Sequence, residues 1–98
     1  MLHIVNKSPF QTSTLQTCLE VAQGGDVLLI EDAVCAAVPG TLWEDRLLGL
    51  QTRFTFHVLR PDLEARGWGE KLIAGVHAVD YTGFVALVEA NATCQSWL

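Results

Sequence analysis

The segment V-L-L-I at residues 27–30 constrains the fold of this 98-residue chain more than any other feature. It is apolar at four consecutive positions and is bounded by Asp26 and Glu31. Successive side chains of a strand point to opposite faces of the sheet, so this segment is buried on both faces. Such strands are typical of a parallel sheet that helices cover on each side. The segment therefore predicts a small three-layer α/β/α domain.

Strand and helix patterns alternate along the whole chain. The sequence predicts four strands, with room for a fifth near the C-terminus; the four are Leu2–Val5, Val27–Ile30, Phe54–Leu59 and Val76–Val79. Helical patterns lie between and after them, at Ser13–Gln23, Thr41–Leu50, Pro61–Arg66 and Tyr81–Ala90, and Asp32–Val38 is a short apolar helix or turn. This alternation predicts a mostly parallel sheet of four or five strands in one domain, residues 1–98.

Several polar residues are placed to begin or end these helices. Thr12 or Ser13 is predicted to cap the first helix, which Gly24-Gly25 ends. Thr41 has Glu44 three residues later, which is the spacing of a capping box. Asp80 is predicted to cap the last helix, in which one face is apolar: Tyr81, Phe84, Val85 and Val88.

Composition argues for an oligomer and against binding to polyanions. Half of the residues are apolar and 17% are charged, compared with about 25% in an average soluble domain. A chain with so little polar surface is expected to hide apolar surface against a partner. The net charge is −5 and the six basic residues are scattered. Direct binding to nucleic acid or to an anionic membrane is therefore not expected.

The cysteine pattern and the start of the chain favour the cytoplasm. Cys18, Cys35 and Cys94 are odd in number and widely spaced, so they predict neither a disulfide framework nor a metal site. The first residues lack the apolar run of a signal peptide. The longest apolar stretch, Ala33–Pro39, is too short to span a bilayer.

Common ligand and catalytic motifs are not found in the sequence. The loop N-K-S-P-F-Q-T-S after the first strand contains no glycine, and Gly24-Gly25 precedes a strand, so a phosphate-binding loop is disfavoured and no cofactor is expected. A G-x-S-x-G motif is absent. The three histidines, at positions 3, 57 and 77, are expected on sheet faces. Glu31 and Asp32 are expected to form a solvated turn in which Asp32 caps a helix.

The three cysteines differ in their expected surroundings. Cys18 lies near the middle of the apolar arc of the first helix, where a thiol packs as a small hydrophobic side chain and is inert. Cys35, within A-V-C-A-A-V, is expected in the core. Cys94 is expected to be accessible and has no neighbouring base in the sequence.

Four segments together resemble the DsrH/TusB family: M-L-H-I-V-N-K-S-P-F, L-L-I-E-D-A-V-C-A-A, V-L-R-P-D-L-E-A-R-G and V-D-Y-T-G-F-V-A-L. The final C-Q-S-W-L is also similar to the family's tryptophan-containing terminus. The resemblance implies a DsrEFH-like fold and a subunit of a cytoplasmic sulfur-relay complex. The implied partners are DsrE/TusD-like and DsrF/TusC-like subunits in a heterohexamer, and a DsrC/TusE-like acceptor of persulfide sulfur.

The resemblance gives Cys18 a second interpretation, as a catalytic residue that transiently holds sulfur. It also suggests two pathways, sulfur oxidation and 2-thiolation of the tRNA wobble uridine, and a cysteine on the first helix favours the former. Sulfur transfer needs the thiolate, and Glu20 opposes its formation while Lys7 would have to approach from another element.

Three functional hypotheses follow. The chain is a relay subunit that carries sulfur on Cys18, a non-catalytic scaffold with interface aromatic residues, or an independent small-molecule-binding domain. The candidate interface residues are Trp43, Trp68 and Trp97, which would otherwise be ordinary core residues. The resemblance implies a sulfurtransferase-complex subunit and leaves open whether it has enzymatic activity of its own.

Overall fold

The computed structural model describes residues 1–68 and 71–97. Five strands form one parallel sheet: β1 (Leu2–Val5), β2 (Gly25–Leu29), β3 (Phe54–Leu59), β4 (His77–Val79) and β5 (Cys94–Trp97). Their order across the sheet is β4-β3-β2-β1-β5. The four predicted strands are confirmed, and the fifth lies near the C-terminus.

Four α-helices and one 3-10 helix connect the strands. The α-helices are α1 (Thr14–Val21), α2 (Leu42–Leu50), α3 (Arg60–Ala65) and α4 (Tyr81–Ala90). The 3-10 helix spans Glu31–Ala37 and lies where the sequence predicts a short apolar helix or turn. With helices on both sides of a parallel sheet, the predicted α/β/α architecture is confirmed. Across residues 1–68 and 71–97, no helix is both long and apolar enough to cross a membrane.

The strand order determines which helices cover each face of the sheet. The connections from β1 to β2, β2 to β3 and β3 to β4 all step in the same direction. Because parallel crossovers are right-handed, their helices lie on one face, which we call the first face. The connection from β4 to β5 returns across β3, β2 and β1 in the opposite direction. Its helix, α4, therefore lies on the other face, the second face.

The first face carries the main hydrophobic core. Val27, Phe56 and Val58 point to this face from the central strands and are fully buried. Leu15, Leu47 and Leu63 cover them from α1, α2 and α3, and the 3-10 helix adds four buried residues: Ala33, Val34, Ala36 and Ala37. This packing accounts for Val27 and Leu29, whereas Leu28, between them, is buried on the second face.

The second face is smaller and is covered by α4. Leu2 and Leu28 are fully buried there, and Leu59 is nearly so. No residue of α4 itself is buried. Along its outer side, Tyr81 is 62% exposed, Val85 54% and Val88 39%. These three residues, which we call the α4 stripe, belong to the apolar face that the sequence identifies, and they point away from the sheet.

Two of the four predicted helix caps are confirmed. The Thr41 hydroxyl accepts a hydrogen bond from Trp43 N at 3.1 Å, and the Asp80 carboxylate accepts one from Gly83 N at 2.8 Å. Ser13 occupies the capping position of α1 but makes no side-chain cap bond, whereas the alternative residue, Thr12, accepts a hydrogen bond on its Oγ1 from Thr14 N at 3.4 Å. Asp32 is not a cap, because the 3-10 helix begins one residue earlier, after the extended residue Ile30.

Helix α1 ends earlier than predicted because Ala22 is extended. Gly24 and Gly25 then have φ angles of +150° and +111°. A Cβ atom on Gly25 would lie 2.5 Å from the carbonyl oxygen of Met1, and one on Gly24 would lie 2.7 Å from that of Arg53. These glycines therefore allow β2 to enter the sheet between β1 and β3.

Candidate functional site

Cys18 is fully buried in the first-face core, in the middle of α1. Burial raises the pKa of its thiol to about 11. At neutral pH Cys18 is therefore held as the unreactive thiol. In this conformation the residue packs as a small hydrophobic side chain, and its catalytic role stays a prediction from the family resemblance.

Cys35 is more accessible than the sequence predicts. It lies in the 3-10 helix that follows β2 and is half-buried instead of fully buried in the core. Its Sγ lies 3.2 Å from Ser8 Oγ, in the loop after β1. The same Ser8 oxygen accepts a hydrogen bond from Phe10 N at 3.2 Å, and in its contact with Cys35 either the hydroxyl or the thiol can be the donor. The expected core position was wrong because a 3-10 helix repeats every three residues and turns this side chain towards the loop.

Cys94 is exposed, as predicted, and lies at the start of the edge strand β5. The parallel register places Cys94 and Asp26 on either side of Leu2. Cys94 therefore belongs to the second face, whereas Cys18 belongs to the first. The sheet separates these two thiols.

The acidic residues after β2 connect the 3-10 helix to α3. Glu31 has a φ of +50°, and its N–H donates to the Asp62 carboxylate at 2.6 Å. Asp32 pairs with the Arg66 guanidinium at 2.9 Å. The turn is exposed, as the sequence predicts, and the Glu31 N–H and the Asp32 carboxylate join it to α3. This connection is structural, since both pairs lie within the fold.

A polar cluster on the second face joins α4 to the sheet. His57 Nε2 lies 3.0 Å from Asp26 Oδ1, and Asn91 Nδ2 donates to Asp26 Oδ2 at 3.1 Å. Asn91, directly after α4, also donates to Leu87 O at 2.8 Å. Burial alone would raise the pKa of Asp26, but the hydrogen bonds from His57 and Asn91 outweigh it and hold the pKa below its ordinary value. Asp26 is therefore a carboxylate at neutral pH.

Sequence reasoning missed this cluster. The histidines were placed correctly on sheet faces, and His57 and His77 pair in register with ring centroids 5.6 Å apart. Alternation along F-T-F-H-V-L does place His57 on the face of the sheet away from Phe56. This position was the available sign in the sequence that a polar residue lies on the second face. Among residues 1–68 and 71–97, no three His, Cys, Asp or Glu side chains form a group that could hold a metal ion.

The three tryptophans have different environments. Trp43 is nearly buried in the first-face core, and Trp97 packs against that core while its Nε1 donates to His3 Nδ1 at 3.2 Å. Trp68 is exposed. Of the three tryptophans, only Trp68 is exposed enough to contact a partner.

A surface groove of about 470 Å³ lies between α1 and α2. Leu19, Trp43 and Leu50 line it together with Arg46, whose guanidinium lies 4.9 Å from the Trp43 ring centroid, and Arg53. Arg53 directly precedes β3, so the groove opens near the amino ends of the strands. Ligands of open parallel sheets bind at the carboxyl ends. The groove therefore gives little support to the small-molecule-binding hypothesis.

The chain is similar over its whole length to known proteins. The family model described as DsrH like protein matches residues 7–94. Protein TusB of Erwinia tasmaniensis is 35% identical over 97 residues, and Protein TusB of Pectobacterium parmentieri is 38% identical over 98 residues. Both alignments cover 99% of this chain and 100% of the relative.

A solved structure shares the fold. The crystal structure of the ychN protein from E. coli superposes with a TM-score of 0.81, over 97% of each chain, at 18% sequence identity. At this identity the likeness concerns the fold alone. Together, the family match over residues 7–94 and the full-length relatives at 35% and 38% identity show that this chain belongs to the DsrH family.

Proposed function

We propose that this chain is a subunit of a sulfur-relay complex in which it completes the assembly and helps to dock the sulfur acceptor. Its proposed partners are DsrE/TusD-like and DsrF/TusC-like subunits in a heterohexamer, and a DsrC/TusE-like acceptor. Family membership supports the complex. The observation that carries the scaffold role is the exposed α4 stripe, since α4 buries none of its residues in the isolated chain.

The scaffold role agrees with the chemistry of Cys18. An attack on a persulfide needs the thiolate, and burial of Cys18 raises its pKa to about 11. A carrier role would need α1 to move or a partner to bring a positive charge close to the thiol. The scaffold role needs neither change.

Co-purification tests membership of the complex. The chain is co-expressed with candidate partner subunits from the same genome, and the mass of the purified assembly is measured. We expect one stable complex that contains all three kinds of subunit. A chain that stays monomeric beside these partners would contradict the proposal.

Sulfur loading separates the scaffold from the carrier, the second candidate role. The assembled complex is treated with a persulfide donor, and intact masses are measured for the wild type, Cys18→Ser and the accessible control Cys94→Ser. We expect the partner subunit to load while this chain gains no Cys18-dependent adduct. An added mass of about 32 Da, one sulfur atom, that disappears only in Cys18→Ser would establish the carrier role.

For the pathway, we propose 2-thiolation of the tRNA wobble uridine in the cytoplasm. The full-length relatives are named TusB, and we give this more weight than the presence of Cys18, which favours sulfur oxidation. Deletion of the gene should lower the 2-thiouridine content of tRNA, measured by mass spectrometry of nucleosides, and the wild-type gene should restore it. Unchanged tRNA together with lost sulfur oxidation would favour the other pathway.

A further inference from the structure

The C-terminal third of the chain differs in charge from the rest. Residues 72–98 contain no lysine or arginine, and their only charged residues are Asp80 and Glu89. These two acids flank α4, one just before the helix and the other in its last turn. Both are exposed, and they lie about 14 Å apart along the helix axis. The α4 stripe between them is apolar and exposed.

We infer that the α4 stripe is the docking surface for another subunit of the sulfur-relay complex, whose contact face is apolar and flanked by lysine or arginine. This inference rests on the proposed function and adds the surface and the chemistry of the partner. The apolar part of the partner would bury Tyr81, Val85 and Val88. Its cations would meet Asp80 at one end of the helix and Glu89 at the other.

Charge complementarity disfavours a second copy of this chain as the occupant. In an antiparallel pair of α4 helices, Asp80 of each copy would lie beside Glu89 of the other. In a parallel pair, each acid would face its own counterpart. Either arrangement brings like charges together at both ends, and residues 72–98 offer no cation to neutralise them. The surface therefore selects a different protein.

The coverage of the sheet also supports a partner on the α4 stripe. The first face is covered by α1, α2, α3 and the 3-10 helix, whereas the second face is covered by α4. Parallel sheets normally have both faces buried. A partner on the α4 stripe would place α4 between two apolar layers and so complete the second face.

The test uses two exposed sites with matched controls, in the chain co-expressed with its partner subunits. Val85→Asp places a charge in the α4 stripe, and Val21→Asp places the same charge on α1, where Val21 is 66% exposed. Glu89→Lys reverses a charge at the end of α4, and Glu64→Lys reverses an exposed charge on α3. Recovered complex is quantified by size-exclusion chromatography, and circular dichroism verifies folding.

We expect Val85→Asp to reduce the recovered complex by about tenfold or more, because an unpaired carboxylate would be buried in an apolar contact. Glu89→Lys should weaken assembly more than Glu64→Lys, and Val21→Asp should assemble like the wild type. If the wild type assembles and Val85→Asp assembles equally well, this inference is overturned and the proposed function still stands.

Two other outcomes would also overturn the inference. If the wild type assembles with no partner, the proposed function fails and the inference fails with it. If the chain alone forms a dimer that Glu89→Lys strengthens, the occupant is a second copy, since the new lysine would then pair with Asp80 of the other chain. Sedimentation velocity of the isolated chain measures this directly.

Discussion

The two faces of the sheet are built differently although the same strands form both. On the first face, helices α1, α2 and α3 and the 3-10 helix bury an aliphatic and aromatic core around Phe56. On the second face, a single ten-residue helix covers the sheet and is joined to it through Asn91, Asp26 and His57. Each first-face helix buries residues in the core, whereas α4 buries none of its own. Exposed apolar side chains occur on both sides: Val21 and Leu42 on α1 and α2, and the α4 stripe on the second face.

This difference follows from the path of the chain. Three crossovers step in one direction and place their helices together, while one long crossover returns across three strands. One helix must then cover a face that receives three α-helices on the other side. The topology itself places several helices on one face of the sheet and a single helix on the other.

The largest expected effect is the loss of Phe56 from the first face. Phe56→Ala removes a fully buried ring, and we expect the free energy of unfolding to fall by about 3–5 kcal/mol. A domain of this size has about 5–15 kcal/mol in total, so the variant should be marginally stable. Urea denaturation measures the change. A loss below about 1 kcal/mol would mean that the first face is not the main source of stability.

A smaller effect is expected for Asp26→Asn on the second face. The carboxylate accepts hydrogen bonds from His57 and Asn91, while the amide of an asparagine would oppose one of these donors. We expect a loss of about 1–2 kcal/mol at pH 7, since Asp26 is partly solvated. Urea denaturation of both proteins measures it, with Asp45→Asn on the exposed side of α2 as the control.

The contact between Asp26 and His57 also predicts that the free energy of unfolding depends on pH. The folded-state pKa of Asp26 lies below its ordinary value of 3.8, so the ionised form stabilises the fold. This contribution is fully present above the pKa of the unfolded state and is lost as the pH falls through the lower pKa of the folded state. The part of the difference between wild type and Asp26→Asn that comes from the ionised carboxylate should therefore shrink below about pH 4. A difference that grows on acidification would contradict this assignment.

The two confirmed helix caps lie on different faces of the sheet, so removing each one compares how firmly the two helices are held. Thr41→Ala and Asp80→Ala each remove a side-chain acceptor and should each cost about 1 kcal/mol. Because α4 buries no residue, loss of its cap should also open the helix locally. Hydrogen exchange should accelerate at the α4 amides in Asp80→Ala, while Thr41→Ala should change exchange at the α2 amides much less. Equal protection of both helices would show that the second face is as firmly packed as the first.

Local patterns predicted most of the fold. The bounds of β1 and β3 agree with the apolar runs, and the caps at Thr41 and Asp80 depend on side chains within three residues of the helix start. The Ser8–Cys35 contact was not predictable in this way, because it joins the loop after β1 to the 3-10 helix after β2, which only the sheet brings together.

The second face could not be predicted because its contacts are long-range. Asp26 is 31 residues from His57 and 65 from Asn91, so no local spacing connects them. The sequence identified an apolar face on α4 but could not show which way it points. That direction depends on the strand order, which the pairing of β5 with β1 determines.

The smallest expected effect is that of Val85→Ala, for which Val58→Ala on the first face is the comparison. Val58→Ala on the first face removes buried carbon atoms and should cost about 1.5 kcal/mol or more by urea denaturation. Val85→Ala in the α4 stripe should change stability by less than about 0.5 kcal/mol, because the side chain is half exposed and alanine has the better helix propensity. Inside the assembled complex the difference in stability loss between Val58→Ala and Val85→Ala should become smaller, because a docked partner would bury Val85 as the first-face helices bury Val58. A Val85→Ala variant that destabilises the isolated chain as much as Val58→Ala would mean that α4 is already packed on its outer side. The proposed difference in helix burial between the two faces would then be wrong.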